Sequence, residues 1–550
     1  MARRKPIDRW EVEDEAFWRE SGSAIASRNL WISVPNLLCG FAVWLFWSVV
    51  IVKIQELHEG NPLLFDFRGP DGGRLSGDQY RALLYSLPAV GGLAGATLRI
   101  PNSFMVAITG GRNVVFLTSL LLLLPALGTG YALSSPDLPF STYIILATLS
   151  GIGGGAFASS MSNISFFFPK RVQGLSLGLN AGLGNLGVSV MQFLLPLSMT
   201  VGLFGALGGD PQVLRRLAAD GTVTSSSLWI QNAGWVWVPI LVVLAVAAWR
   251  GMDNLPGLRP SSTLRGCGAM LWLELLGLVG AAAGVFLLMH PFGLPELLRT
   301  FLLLVLVILV TLALMRWATP AGTRSSLKRQ FAIFRNKHSW IMTWLYVMTF
   351  GSFIGYSAAF PKLIKDVFGY VRVDEAGAPL LQQVSATGAP SPLAYAWLGP
   401  LVGSLVRPLG GWLSDRFGGA RVTHWTTVVM IGAAIAVGVF VHEARSSHEP
   451  QAYFLPFLLL FLLLFVTTGI GNGSTFRMVP IIFEPSQAGP VLGWTSAVAA
   501  YGAFLVPTLF GMQIQAGTPE NALYGFSAYY LSCLAVNWWF YARKGAEVRC

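Results

Sequence analysis

Two arginines stand inside stretches that otherwise read as membrane helix. Arg99 lies in LLYSLPAVGGLAGATLRIPNSFMVAITGG and Arg407 in YAWLGPLVGSLVRPLGGWLSDRFGG. Each precedes a Gly-Gly pair, Gly110-Gly111 or Gly418-Gly419, by the same eleven residues. At about 1.5 Å per helical residue that spacing puts both guanidinium groups about 16 Å from the turn, near a bilayer midplane. An arginine at that depth costs about 2.5–3.5 kcal/mol on insertion scales unless it faces the bundle interior or a wet cavity. One such arginine reads as a snorkelling or helix-pairing residue, whereas two at matched depth point to a shared anion. No Asp or Glu falls at mid-span in the repeated helices to neutralise them. Guanidinium is planar, permanently charged and offers parallel N–H donors, so it suits a flat oxyanion. Phe157, Tyr346 and Phe350 could sandwich the flat face of such an anion, although each taken alone reads more readily as a packing aromatic. Asn185 and Asn472 can donate to it without adding charge.

The elements that must position these residues come in two copies. GIGGG at Gly151 opens a glycine-rich stretch to Pro196, and GIGNG at Gly469 opens a second to Pro507. Pro169 matches Pro485, Gly174 matches Gly489 and Gly178 matches Gly493. On a helical wheel Gly174, Gly178, Gly182, Asn185 and Ser189 form one small-residue stripe, as do Gly489, Gly493, Ala497 and Ala500. Such stripes let membrane helices approach closely or slide. Gly471 and Gly473 flank Asn472 in the same way. Asp415 and Arg416 belong to a tight turn, GGWLSDRFGGAR, where Asp415 can cap a helix or pair with an arginine; Lys170 and Arg171 occupy the matching joint of the first copy. These are assigned to helix packing, gating and topology. Duplicated halves with matching charges suit a transporter with a central site.

Composition agrees. The 550 residues are 54% hydrophobic and 11% charged, too little charged surface for a soluble protein of this size. Fourteen spans are read, at about 31–53, 80–107, 113–133, 140–166, 172–197, 231–250, 268–289, 296–317, 338–366, 392–413, 422–441, 451–478, 488–510 and 522–541. The expected fold is all-α and integral to the membrane: a tail over 1–28, a six-helix half over 29–250, an inter-half segment over 251–335, a second six-helix half over 336–542 and a tail over 543–550. The first 28 residues lack an apolar core before Leu30 and read as a retained tail. Loops on the side of that tail carry Arg112, Lys170, Arg171, Arg250 and the run from Arg316 to Lys337, whereas those around Asp137 and Glu520 carry no Lys or Arg. The net charge of +11 therefore marks sidedness, with both termini cytoplasmic, and not nucleic-acid binding. Cys39, Cys267, Cys533 and Cys550 show no metal or redox spacing, and no cofactor motif or nucleophile–base pair appears. None of the six histidines is clearly at mid-span.

The spans 268–289 and 296–317 have no counterpart in the repeat and are expected as a hairpin on the outside of the bundle. Its Glu274 is expected near a helix end or in a helix contact. The segments Glu56 to Gln79, Phe204 to Ser227 and Gly369 to Pro390 read as surface loops.

GGWLSDRFGGAR resembles the loop motif of the major facilitator superfamily. The two glycine stretches, with RNLWISVPNLLCGFAVW, LRIPNSFMV and WIMTWLYVMTFGSFIGYSAAF, are similar to the signatures of its nitrate/nitrite porter (NarK-type) family over nearly the whole chain. The resemblance implies a major facilitator fold, nitrate and nitrite as substrates, and alternating access in a bacterial inner membrane. It also implies that Arg99 and Arg407 hold the anion, with Phe157, Asn185, Tyr346, Phe350 and Asn472 completing the site. The hairpin departs from the family's twelve-helix plan. An empty site would hold two like charges in a low dielectric, so reorientation is expected to need an anion aboard, which favours nitrate/nitrite antiport. Proton-coupled nitrate symport stays open, as does a membrane anion sensor from a different class. The carrier is expected to work as a monomer with no nucleic-acid partner.

Overall fold

The computed structural model describes residues 7–69, 72–217, 223–290, 293–321, 324, 328, 331–374 and 377–550; the side-chain surroundings of 170, 173–174, 216–217, 379, 381–383, 485–486 and 488–489 also lie outside the description. Among the described residues fourteen helical passes follow one another, of which the first eight are α1 (Glu15–Gly60), α2 (Gly77–Thr109), α3 (Gly111–Ser134), α4 (Phe140–Phe167), α5 (Lys170–Ser198), α6 (Asn232–Gly251), α7 (Thr263–Met289) and α8 (Glu296–Trp317). The second half supplies α9 (337–368), α10 (392–417), α11 (Gly419–Arg445), α12 (Pro450–Ile482), α13 (485–515) and α14 (520–542). Among the described residues, eleven helices are long and apolar enough to cross a membrane. The other passes, α9, α10 and α14, are interrupted and rich in Gly, Ser, Trp and Tyr, which lowers their hydropathy without shortening their path.

The interruptions have local causes. A π-turn over Val347–Gly351 divides α9 between Tyr346 and Phe350, and single π-turns of this kind recur at functional sites. Helix α10 breaks at Val406, and Pro408, which has no N–H for an intrahelical bond, sits in the first turn of the segment that restarts at Arg407. Gly110 and Gly418 end α2 and α10 with φ of 84° and 88°, a conformation that a side chain resists. The same turn therefore recurs in both copies, eleven residues after each arginine.

The two halves are packed by one rule. Helix α2 runs against α4, and its equivalent α10 runs against α12. In the first pair a Cβ on Gly151 would meet Ala94 Cβ at 2.5 Å, and one on Gly155 would meet Asn102 Nδ2 at 2.7 Å. In the second, a Cβ on Gly469 would meet Gly403 O at 2.2 Å and one on Gly473 would meet Arg407 O at 2.4 Å. The halves meet along two matching seams, α2 with α13 and α5 with α10.

Helices α7 and α8 form the extra hairpin and pack on α2. Gly277 faces Leu98 and Pro101, Gly280 faces Thr311 and Thr97, and Gly284 faces Val307 and Leu93. The opposite face exposes Trp272, Leu275, Phe286, Phe301 and Leu309, as a lipid-facing surface would. Glu274 sits eleven residues from Thr263 and fifteen from Met289, so it is in the middle of α7 and not near an end. The helix contact holds: its carboxylate accepts from Asn102 Nδ2 of α2 at 2.8 Å.

Two of the segments read as surface loops contain hairpins. Gln212–Leu217 pairs antiparallel with Val223–Leu228 (β1 and β2), and Tyr370–Val373 pairs with Pro379–Ser385 (β3 and β4). Both stand at the end of the bundle opposite the chain termini. At the terminal end, Trp10 Nε1 donates to Phe166 O at 3.0 Å and Lys337 pairs with Glu547 at 2.7 Å.

Candidate functional site

Arg99 and Arg407 are both buried, at 0% and 5% exposure, and each reaches the same aromatic column from opposite halves. Arg99 Nε donates to Gly154 O at 3.0 Å and Nη1 to Ser496 O at 3.2 Å. These are carbonyl acceptors from α4 and α13, so the guanidinium is held by neutral dipoles from both halves. Its Cζ lies 4.7 Å from the Phe157 ring, 5.3 Å from Phe350 and 5.4 Å from Trp44. Arg407 Nη2 donates to Tyr346 Oη at 3.2 Å, and its Cζ lies 4.9 Å from the Phe476 ring. A desolvated guanidinium over a ring gains about 2 kcal/mol, which offsets part of the cost of burial.

The column itself is continuous. The Tyr346 and Phe350 rings are parallel, at 4° and 5.6 Å between centroids, and Phe350 stacks on Phe157 at 5.9 Å. These rings come from α9 and α4, so the stack crosses the boundary between halves at the level of the arginines.

Each guanidinium keeps one buried nitrogen without a hydrogen-bond partner, Arg99 Nη2 and Arg407 Nη1. Buried donors are ordinarily satisfied. None of the salt bridges found among the described residues gives either arginine a carboxylate.

The sequence-derived candidates fall into two groups. Arg99, Phe157, Tyr346, Phe350 and Arg407 are linked by the contacts above. Asn185 and Asn472 are each 1% exposed at mid-helix, with an amide oxygen lacking a partner, and no hydrogen bond joins either to the arginines. Asn472 is nevertheless bracketed by site elements, since Gly473 meets the Arg407 backbone and Gly471 meets Thr349.

Among the stripe glycines, a Cβ on Gly178 would meet nothing within 4 Å, one on Gly182 only Ser404 O at 3.9 Å, and one on Gly493 Ser103 Cβ at 3.2 Å. The surroundings of Gly174 and Gly489 lie outside the described residues. Asp415 pairs with Arg477 of its own half, and Arg416 lies 4.2 Å over Trp412. In the matching joint of the first copy, Arg171 pairs with Glu15 at 3.1 Å.

Trp44, Phe476 and the Ser496 carbonyl were not singled out from the sequence. Trp44 also fixes the backbone, donating from Nε1 to Gly91 O at 2.7 Å. Gly95 and Gly154 make room for its indole, since a Cβ on them would approach it to 2.2 and 2.7 Å. The signal was present in the motif RNLWISVPNLLCGFAVW and in GIGNGSTF, which end on these two aromatics.

Toward the end opposite the termini, a polar cluster bridges the halves. Gln55 Nε2 donates to Tyr370 Oη at 2.5 Å, Tyr370 donates to Glu59, and Lys365 pairs with Glu59 at 3.4 Å. Beneath it, Lys362 and Asp366 form a fully buried pair at 2.6 Å, with Lys362 Nζ 4.9 Å from the Tyr85 ring. Gln192 Nε2 donates to Ser357 O at 2.9 Å and Ser189 Oγ to Trp397 O at 2.8 Å.

No protein-family model matches the chain. It is similar to the xylose transporter XylE from E. coli, with a TM-score of 0.52 at 14% identity over 94% of this chain and 98% of that one. It is also similar to an auto-inhibited POT family peptide transporter, with a TM-score of 0.55 at 14% identity over 92% and 96% of the two chains. At that identity the likeness concerns the fold, which is that of the major facilitator superfamily. In sequence the chain is 37% identical over 545 residues to the probable nitrate/nitrite antiporter NarK2 of Thermus thermophilus, covering 99% of this chain and 98% of the relative. It is 33% identical over 559 residues to the nitrate/nitrite transporter NarU of Escherichia coli K12, covering 97% and 96%. Likeness of this extent, in a major facilitator fold with a duplicated arginine, shows that the chain belongs to the nitrate/nitrite porter family of the major facilitator superfamily.

Proposed function

We propose that the chain is a nitrate/nitrite transporter in which Arg99 and Arg407 bind the anion between the two halves, and that it works as an antiporter by alternating access. The observation that carries this reading is the pair of unpartnered guanidinium nitrogens, Arg99 Nη2 and Arg407 Nη1, on the two sides of one aromatic column. A planar oxyanion offers acceptors to both, and its flat face suits the Phe157, Phe350 and Tyr346 rings. The relatives named as nitrate/nitrite transporters support the choice of anion.

The charge count at the site supports exchange. Two cations without a carboxylate favour closure around an anion over closure around an empty cavity. The polar bridges toward the end opposite the termini support alternating access, because they are contacts that must break before that end can open. The basic loops on the side of the termini support an inner-membrane orientation with both termini cytoplasmic.

Nitrate uptake into proteoliposomes loaded with nitrite, or with no permeant anion, tests the proposal. Uptake that requires internal nitrite, and that an inward proton gradient cannot drive in its absence, is expected. Uptake into empty vesicles driven by an inward proton gradient overturns antiport in favour of symport, and no flux of either anion overturns the transport reading.

A further inference from the structure

Glu274 lies in the middle of α7, the first helix of the extra hairpin, and is buried at 3% exposure. Its hydrogen-bonding account does not close. Asn102 Nδ2 donates to Leu98 O at 3.0 Å and to Glu274 Oε1 at 2.8 Å, which uses both amide hydrogens. Glu274 Oε2 and Asn102 Oδ1 are then both buried acceptors without a donor. An ionised carboxylate here would rest on one neutral hydrogen bond in the middle of a membrane helix, with no counter-charge.

The surroundings supply none. On α2, Arg99 turns to Gly154, Ser496 and the aromatic column, while Asp78, Tyr80, Arg81 and Tyr85 stand near the far end of the helix. On α3, Arg112 lies over Trp249. Helix α4 offers only Tyr143, near its first turn, and α8 only Glu296, Arg299 and Arg316, at its two ends. On α7 itself Arg265 and Cys267 lie in the first turns.

A proton on Oε2 supplies the one donor that this cluster lacks, and Asn102 Oδ1 is the acceptor that lacks one. The carboxylic acid and the amide would then satisfy each other in a closed pair. We propose that Glu274 is a proton-binding site: protonated, it clasps the extra hairpin to α2 through Asn102, and ionised, it releases it. The clasp acts at a sensitive place. Asn102 is three residues beyond Arg99 and lies against Gly155 of the first glycine stretch, where a Cβ would come within 2.7 Å of its amide nitrogen. Loss of the clasp frees the arginine-bearing helix on its outer side, so transport falls as pH rises. The direction of the clasp itself is fixed by the chemistry, made in acid and lost in alkali, because the donor exists only in the acid form.

Glu274→Gln is the test, since its amide keeps one acceptor and one donor toward Asn102 but cannot ionise. Infrared difference spectra of the full chain in lipid nanodiscs, taken between mildly acidic and alkaline buffer, should show a protonated-carboxyl C=O band in the wild type that is missing in Glu274→Gln. In proteoliposomes the clasped fraction, and with it wild-type nitrate flux, should fall about tenfold per pH unit once the acid ionises, while Glu274→Gln stays flat. A C=O band that is unchanged by the substitution overturns the proton site. Identical alkaline profiles for the two proteins overturn the link to transport. The infrared arm needs no substrate, and only the flux arm rests on the anion reading, so failure of one is distinguishable from failure of the other.

Discussion

Tyr346 accepts a hydrogen bond from Arg407 at 3.2 Å while its ring lies parallel to Phe350, which also lies against Arg99. The tyrosine thus orients one arginine through its hydroxyl and belongs, through its ring, to the column that packs the other. Tyr346→Phe keeps the ring and removes the acceptor, leaving a second nitrogen of Arg407 without its partner. A hydrogen bond to a charged group is worth about 1.5–3 kcal/mol, so nitrate affinity should weaken roughly ten- to hundredfold with the fold intact. Calorimetric titration of the purified variant measures this.

Arg99→Lys separates charge from shape. Lysine keeps the positive charge but cannot place one nitrogen toward Gly154, a second toward Ser496 and leave a third for an anion. Nitrate exchange should fall tenfold or more, by about 1.4 kcal/mol at least, although the net charge of the cavity is unchanged. Flux equal to wild type would mean that the site needs only a cation.

Much of this arrangement was legible from the chain because it is duplicated. Arg99 and Arg407 stood out through matched spacing to a Gly-Gly turn, which fixes depth in a helix of known rise. Depth says little about which way a side chain faces. Glu274 shows the limit: its place in α7 could be counted, but its partner Asn102 comes from the helix that packs against it. Trp44 and Phe476 were hidden for another reason, since in a chain that is 12% aromatic no single ring is distinctive. The hairpins β1–β2 and β3–β4 do not stand out because each strand is short and anchors few residues, such as Leu214, Leu228 and Tyr370, too few to impose an alternating pattern.

The two glycine populations should respond differently to the same change. A Cβ on Gly473 would come within 2.4 Å of the Arg407 carbonyl oxygen, so Gly473→Ala must move α12 away from α10 and should cost about 1–3 kcal/mol. A Cβ on Gly178 meets nothing within 4 Å, and Gly178→Ala should change stability by no more than about 1 kcal/mol. If the Gly178 stripe serves as a sliding surface, the bulkier Gly178→Leu should remain folded and exchange nitrate more slowly. Thermal unfolding in detergent and flux in vesicles read the two effects separately.

The buried Lys362–Asp366 pair should be costly to break and cheap to replace. Lys362→Met leaves Asp366 charged and buried, a change worth about 3–5 kcal/mol, whereas Lys362→Met with Asp366→Leu removes both charges and should recover most of that loss. The nearby Tyr370 makes a different kind of contact: through Gln55 and Glu59 it ties the second half to the first at the end opposite the termini. Tyr370→Phe should therefore leave the melting temperature nearly unchanged but shift the population toward a state open at that end. Spin labels on residues 63 and 387, in loops of opposite halves there, should report a longer mean distance in Tyr370→Phe than in the otherwise wild-type labelled chain. An unchanged distance distribution would show that the cluster decorates the closed end without holding it shut.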